Sequence, residues 1–471
     1  MPAAIEAYDA GAKVIILEKM PEGQEGGASH IFGGFIILKS DIKSVIGTTF
    51  GEMDEEYARM FSDALANEAE WIKQVLGLTL APIPVDKDWN LLPMANGLTG
   101  ATTFFAALKA EVSRREISVL YETPGRELIQ DPVTKEILGV VAEHGGQQVT
   151  IKARKGVVIC TGSYDHNLKM MNNFFYYAMY IASTNSPAAT GDGLKMAIKA
   201  GANLRNMGNL GLEWSGFALR VPSEQYNSAI EFTPRNLSYI FVDREGKRFL
   251  NERISMAHQK GHYPVTDFYG EYSLSVAEYE YRYYYHMPFW VVFDQKLMQS
   301  GSLPGSNPFG SGWSTVHKVY EWSTDNSAEL SKGWITKGDT IGELAMRMKG
   351  TDWHGEVSVD PAGLANTIEK FDKYCTTGAD LDFGRAATDM MPLDTPPYYA
   401  AEMCPSTLYT IGGLEHNPKS QTLGWDGRPI PRLYSAGDVG HIGIIKPDGV
   451  CGAMAFGRVA GKQVAALEPW G

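Results

Sequence analysis

The order of apolar and polar positions divides this chain into short buried strands and amphipathic helices. Residues 3–11 read as the tail of a helix that stops at Gly11, since glycine most readily takes the left-handed conformation past a helix end. Lys13 to Leu17 is an apolar run with β-branched residues, the length and character of one strand buried in a parallel sheet. Residues 54–76 and 101–115 carry Ala, Leu and Phe at helical intervals. ISVLYE (117–122), ILGVVAEH (137–144) and QQVTIKA (147–153) alternate apolar and polar side chains and predict a small antiparallel meander. GVVICTGS (156–163) predicts a second buried strand that ends in a glycine turn. From about 216 to 364 the pattern changes. Aromatics crowd 263–293, including Tyr263, Tyr269, Tyr272, Tyr279, Tyr281 and Tyr283 to Tyr285, and this stretch reads as an insertion. The strand-like 433–436 and helix-like 450–467 then return to the earlier style.

A chain of 471 residues can bury more than one core. Its 44% hydrophobic and 21% charged residues are ordinary for a globular protein. No apolar run reaches the roughly 18 residues needed to span a bilayer. A net charge of −13 argues against nucleic acid as a partner, because phosphate binding requires a basic face. Cys160, Cys375, Cys404 and Cys451 stand far apart, with no spacing that suggests zinc, iron–sulfur or c-type haem. No metal site is expected. Sparse thiols and a start without a basic or apolar leader pattern give the cytoplasm as the expected compartment.

Glu18 directly follows the first strand, where an acid can accept hydrogen bonds from both hydroxyls of an adenosine ribose; the plain alternative is a solvated charge opening a loop. Gly26 to Ser29, with Gly33 and Gly34, form a glycine-rich segment whose backbone amides can approach a pyrophosphate or a flat ring. Thr161–Gly162 and the turn before Asp192 are weaker signals of the same kind, and each also reads as a simple tight turn. LYSAGD places Gly437 and Asp438 at the end of a buried strand, where α/β sheets bind ligands. Asp448 to Ala453 then opens a helix whose positive end would stabilise charge on a reduced flavin.

The order AGAKVIILEK, GGAS with a later GG, GVVICTGSYDHN, TGDGLKMAIKAGA, FVDREGKRFLNE, DLDFGR with PPYYA, YTIGG, and PRLYSAGDVG with FGRVAG resembles the FAD-dependent fumarate reductase and 3-ketosteroid dehydrogenase superfamily over nearly the whole chain. The resemblance implies an α/β fold. A Rossmann-like FAD-binding domain (1–215 and 365–471) is interrupted by an α+β capping domain (216–364), and substrate lies between cap and flavin. It implies FAD contacts at Glu18, Lys19, Gly27, Ala28, Ser29, Gly33, Gly34, Thr161, Gly162, Asp192, Gly437, Asp438, Gly449 and Val450, with Arg126 and Glu127 on a strand bordering the adenine. The family's first strand and GxGxxG precede the point at which this sequence begins, so the chain as written is expected to hold FAD weakly or not at all.

Departures from the family pattern bear on substrate. Arg235 matches a proton-relaying arginine, with a surface salt bridge as the alternative, but the proton-donating arginine falls at Met256, and Arg253 is the nearest substitute. Tyr409 stands where fumarate reductases carry a substrate-binding histidine. Near the expected carboxylate-binding arginine the sequence has only His441 and Lys446. Lost cationic clamps leave a dicarboxylate poorly held. The expected reaction reduces or forms a C=C bond conjugated to a carbonyl, in a steroid-like or other enone. Tyr409, Arg235 and Arg253 are the catalytic candidates, and Tyr409, Gly412 and Lys446 the substrate contacts. A separate electron donor is implied. A dicarboxylate or urocanate-type reductase and a non-catalytic remnant are the competing readings. The tyrosines of 263–285 could line an apolar pocket, but most read better as core, and His258, His262 and His286 read as structural or exposed.

Overall fold

The computed structural model describes residues 1–32, 34–37, 42–43, 46, 55–83, 86–91, 100–175, 178–222, 228–253, 273–275, 286–305, 320–352, 354–440 and 449–471. Gly33, Met256, His258, His262, the tyrosines of 263–272 and 279–285, His441 and Lys446 lie outside the described residues.

Helix α1 (Pro2–Asp9) ends as its sequence predicts: Gly11 takes φ +85° and its N–H donates to Tyr8 O at 2.8 Å. Strand β1 (Ile15–Leu17) follows. Its parallel partner is β2 (Ser118–Leu120), with Ile15 opposite Ser118. This corrects the expectation that ISVLYE belongs to the meander. The chain turns at Glu122 (φ +48°), and Thr123 N–H donates back to Glu18 O at 2.8 Å, so the meander begins one segment later. Its strands are β3 (Gly125–Gln130), β4 (Ile137–His144) and β5 (Gln147–Lys152). Helices α2 (Glu55–Ala66), α3 (Glu68–Leu76) and α4 (Gly100–Arg114) bring Phe61, Leu65, Trp71, Ile72, Phe104 and Leu108 into one core with Met454 and Phe456. Strand β6 (Val157–Ile159) ends at the turn Thr161–Gly162, and α5 spans Asp192–Lys199.

The largest sheet draws strands from 182 to 410, on both sides of the 216–364 segment. They are β7 (Ala182–Ser183), β8 (Asn209–Val221), β9 (Ser228–Glu231), β10 (Tyr239–Asp243), β11 (Ser273–Ser275), β12 (Phe289–Asp294), β13 (Ile335–Gly338) and β14 (Tyr398–Thr410). The order is β10–β12–β14–β7–β9–β8–β11, with β14 also pairing β13 and β8. All six residues of β12 are buried, which explains its continuous apolar run. Phe289, Val291 and Phe293 pack on Phe217, Leu219, Phe241 and Met403. Trp290 and Val292 pack oppositely on α6 (Ile341–Arg347) and α7 (Pro361–Thr377) through Leu344, Leu364, Ile368 and Phe371. Each such phenylalanine contributes about 1.5–3 kcal/mol by leaving water.

The chain then returns through β15 (Gln421–Leu423) and β16 (Pro429–Ser435) to α8 (Val450–Ala465). β16 lies parallel to β6, Leu433 opposite Val157. An α/β FAD-binding architecture with a mixed sheet inserted into it is the expected fold class. Among the described residues no helix is long and apolar enough to cross a membrane.

Candidate active site

The C-terminal ends of β1, β6 and β16 gather the sequence-predicted residues. Glu18 leaves β1 with its N–H on Leu120 O (2.9 Å), and its carboxylate accepts from the Met20 N–H at 2.8 Å. Burial raises its pKa, and the amides of Met20 and Gly26 pull it part of the way back. Lys19 turns to α5: its Nζ lies 2.8 Å from Asp192 Oδ2 and 2.5 Å from Thr190 Oγ1. Burial would raise the Asp192 pKa, but Lys19 overrides it and holds the carboxyl below the usual range. The start of α5 sits on Thr161, since a Cβ on Gly193 would stand 2.2 Å from Thr161 Oγ1. Lys19, just past β1, and Thr161, just past β6, thus meet the same first turn of α5, so the ends of β1 and β6 face one volume.

The glycine-rich loop closes a second side. Gly26 takes φ +100°, and a Cβ there would fall 2.3 Å from the Phe105 ring. Gly27–His30 is a single 3₁₀ turn, with Ala28 inside it and Ser29 N–H on Gly26 O at 3.1 Å. Gly34 lies against the start of α4, its absent Cβ 3.3 Å from Gly100 Cα. His30 stacks on Phe105 with ring centroids 4.2 Å apart; the sequence reading passed over this histidine, and its place right after GGAS was the available signal.

On the third side, Ala436 N–H donates to Ile159 O at 3.0 Å, so Gly437 and Asp438 leave the sheet beside Cys160–Gly162. Gly437 takes φ +74°, and a Cβ there would stand 3.6 Å from the Ala453 methyl. Gly449 (φ +63°) is the N-cap of α8 and Val450 its first residue. The half-buried Tyr409 reaches this helix end from β14: its hydroxyl lies 4.0 Å from where a Gly449 Cβ would stand. Gly412 serves close packing, because a Cβ would meet Asn206 O at 2.3 Å.

The remaining candidates have partners of their own. Arg126 and Glu127 are exposed on β3, and Arg126 pairs with Glu143 at 2.8 Å. Arg235 is exposed, with its guanidinium over Gly301. Arg253 bonds Tyr239 and lies 3.7 Å from Asp389. Tyr239 is level with Tyr399 through Phe293, ten strand residues from Tyr409. His286 is held by Asp243 at 2.7 Å, as a structural reading expects.

These residues fit FAD. Nothing stands within 4 Å of the missing Cβ of Gly27 or Gly162, which leaves backbone bare as a pyrophosphate or flat ring requires. Glu18 would take ribose hydroxyls and Asp438 the ribityl chain. The first amides of α8 would face a ring carbonyl.

Comparisons agree. The profile of the family described as FAD binding domain matches residues 1–447. Digoxin reductase of Eggerthella lenta is 27% identical over 526 aligned positions, which cover 99% of this chain and 85% of that protein. Urocanate reductase of the same bacterium is 26% identical over 99% of this chain and 72% of its own length. Among solved structures, 3-ketosteroid delta1-dehydrogenase from Sterolibacterium denitrificans aligns with a TM-score of 0.71 at 20% identity, covering 99% of this chain and 97% of that one, a likeness of fold. The chain therefore belongs to the FAD binding domain family, similar to the fumarate reductases and 3-ketosteroid dehydrogenases, and is a flavin-dependent oxidoreductase with FAD as its cofactor.

Proposed function

We propose that this protein reduces the C=C bond of an α,β-unsaturated carbonyl compound, with an apolar, steroid-like enone preferred to a dicarboxylate. The observation that carries this reading is the Tyr409 hydroxyl beside Gly449, at the positive end of α8. A neutral phenol there can donate to a substrate carbonyl or protonate the carbon next to it. No arginine occurs between Leu433 and Gly457, so this side of the site offers no bidentate clamp for a carboxylate. Bound FAD would supply the hydride. Burial keeps Glu18 partly desolvated for its ribose partner, and residues 216–364 serve as the cap that excludes water from the reacting carbons. Electrons come from a separate donor, and the substrate is a small molecule. The relatives support this class, since urocanate carries a C=C bond conjugated to a carboxyl group.

The test is anaerobic turnover of the flavin-loaded protein with reduced methyl viologen as donor and progesterone, cyclohexenone, urocanate or fumarate as acceptor. The enones should turn over at least tenfold faster than the two carboxylates. Tyr409→Phe should lower kcat on the enone about 100-fold with little change in KM, the scale of a lost general acid. Faster turnover of urocanate or fumarate would reverse the assignment in favour of a carboxylate reductase.

A further inference from the structure

Just beyond Thr161–Gly162 lies a buried polar cluster outside the set of FAD and substrate candidates. Asp165 is fully buried, and Ser163 and Ser183 each donate a hydroxyl hydrogen bond to one of its two carboxylate oxygens. Asn185 Nδ2 lies 3.0 Å from Ser163 Oγ and 3.3 Å from Asp165 Oδ1, and the Asn185 N–H donates to Ser183 Oγ at 2.9 Å. None of these four residues is more than 5% exposed. His166, the adjacent titratable group, has its Nε2 on Asn185 O at 3.0 Å. No Lys or Arg bonds Asp165 among the described residues; its partners are hydroxyl and amide groups.

The cluster joins two parts of the chain with separate duties. Ser163 belongs to the turn that follows Thr161–Gly162. Ser183 lies in β7, which runs parallel to β14 with Ser183 opposite Thr407. From there the contacts lead to Tyr409 in two steps. Thr184 N–H and Oγ1 donate to Thr407 O at 3.0 and 3.2 Å, and Thr407 Oγ1 donates to Tyr409 O at 2.8 Å. A second tie runs from the Tyr164 N–H to Thr410 Oγ1 at 3.4 Å. Burying a carboxylate is costly unless its acceptors are filled, and this one is filled by donors from both parts.

We propose that Asp165 is a positioning residue for Tyr409, tying the strand that carries the phenol to the flavin-facing turn so that the proton is delivered at a fixed distance. This rests on the reading of Tyr409 as proton donor. It requires a conformational consequence and a kinetic one. Asp165→Asn keeps the shape but reverses one half of the acceptor pair. In the flavin-loaded protein, amide hydrogen exchange should speed up in 182–186 and 404–410 and stay unchanged in α2 to α4. With progesterone as acceptor, kcat should fall at least tenfold while KM stays within threefold. In a Tyr409→Phe background the same substitution should change kcat by less than twofold, because the group it positions is gone. Ser183→Ala, which removes one donor, provides the same comparison if the Asn variant does not fold.

Unchanged exchange in 182–186 and 404–410 overturns the proposal whether or not the wild type turns over. Equal losses of kcat in both backgrounds overturn it as well, since a merely structural role acts without regard to Tyr409. Altered exchange together with no enone turnover by the wild type supports the tie and overturns only the functional reading.

Discussion

Two aromatic residues on neighbouring segments show how little a residue type says before its surroundings are known. Tyr409 was marked by its place before Gly412–Gly413, and the fold brings its hydroxyl to the start of α8. His416, three residues past that glycine pair, carried no signal. It is 5% exposed, wedged between Tyr57 and Phe456, with Nδ1 on Asn417 O and, among the described residues, no partner for Nε2. Burial pushes its pKa down to about 4. The unfolded chain takes up this proton near pH 6.5 and the folded one only near 4, so stability present above 6.5 is lost as pH falls through that window. The loss amounts to about 3 kcal/mol, at 1.36 kcal/mol per pKa unit. His416→Leu should flatten the melting temperature between pH 6.5 and 4 relative to wild type. Parallel melting curves for the two proteins across that range would refute the assignment.

At the scale of elements, apolar periodicity located α1, β1, β6 and α8 from sequence alone, because each buries one face or both against a neighbour. It misassigned ISVLYE, since a three-residue strand has the same alternation whether its partner is the meander or β1. Periodicity also passed over Glu68, which opens α3 between two apolar helices. Glu68 is fully buried, and among the described residues neither carboxylate oxygen has a hydrogen-bond partner. Burial raises its pKa well above the carboxylate range, and Arg458 on α8 pulls it only partly back. A raised folded pKa means stability present below pH 4.5 and lost as pH rises toward the folded value. Glu68→Gln should remove this loss. The variant is expected to gain on wild type by about 1–3 kcal/mol toward alkaline pH, the cost of an unsatisfied buried group. Urea denaturation of both proteins from pH 5 to 9 measures it; a constant difference across that range would contradict the account.

Across the whole molecule, two motifs legible only as marks of a family turn out to be halves of one cluster. Arg248 and Glu252 of GKRFLNE meet Asp380 and Arg385 of DLDFGR, with Arg248 2.7 Å from Glu252 and 2.9 Å from Asp380, and Arg385 3.3 Å from Glu252. Arg385 also donates to Tyr239 O and Leu237 O. All four side chains are buried and their charges balance. Arg248→Met leaves two carboxylates against one arginine and should cost about 3–5 kcal/mol, as loss of one member of a buried pair does; equilibrium unfolding in urea reads it directly, and a loss under 1 kcal/mol would show the cluster to be dispensable. The sequence by itself determined the buried strands and the residues that end them, because strand length, glycine turns and terminal acids are local properties, and the order of its motifs carried the resemblance that implied the α/β class and FAD. Tertiary structure alone decided which strand β1 pairs with, that Arg235 lies over Gly301 and Arg253 near Asp389, and that Tyr164 meets Thr410. Those facts depend on contacts between segments as much as 246 residues apart, and the pattern along a chain carries no record of which distant residues will meet.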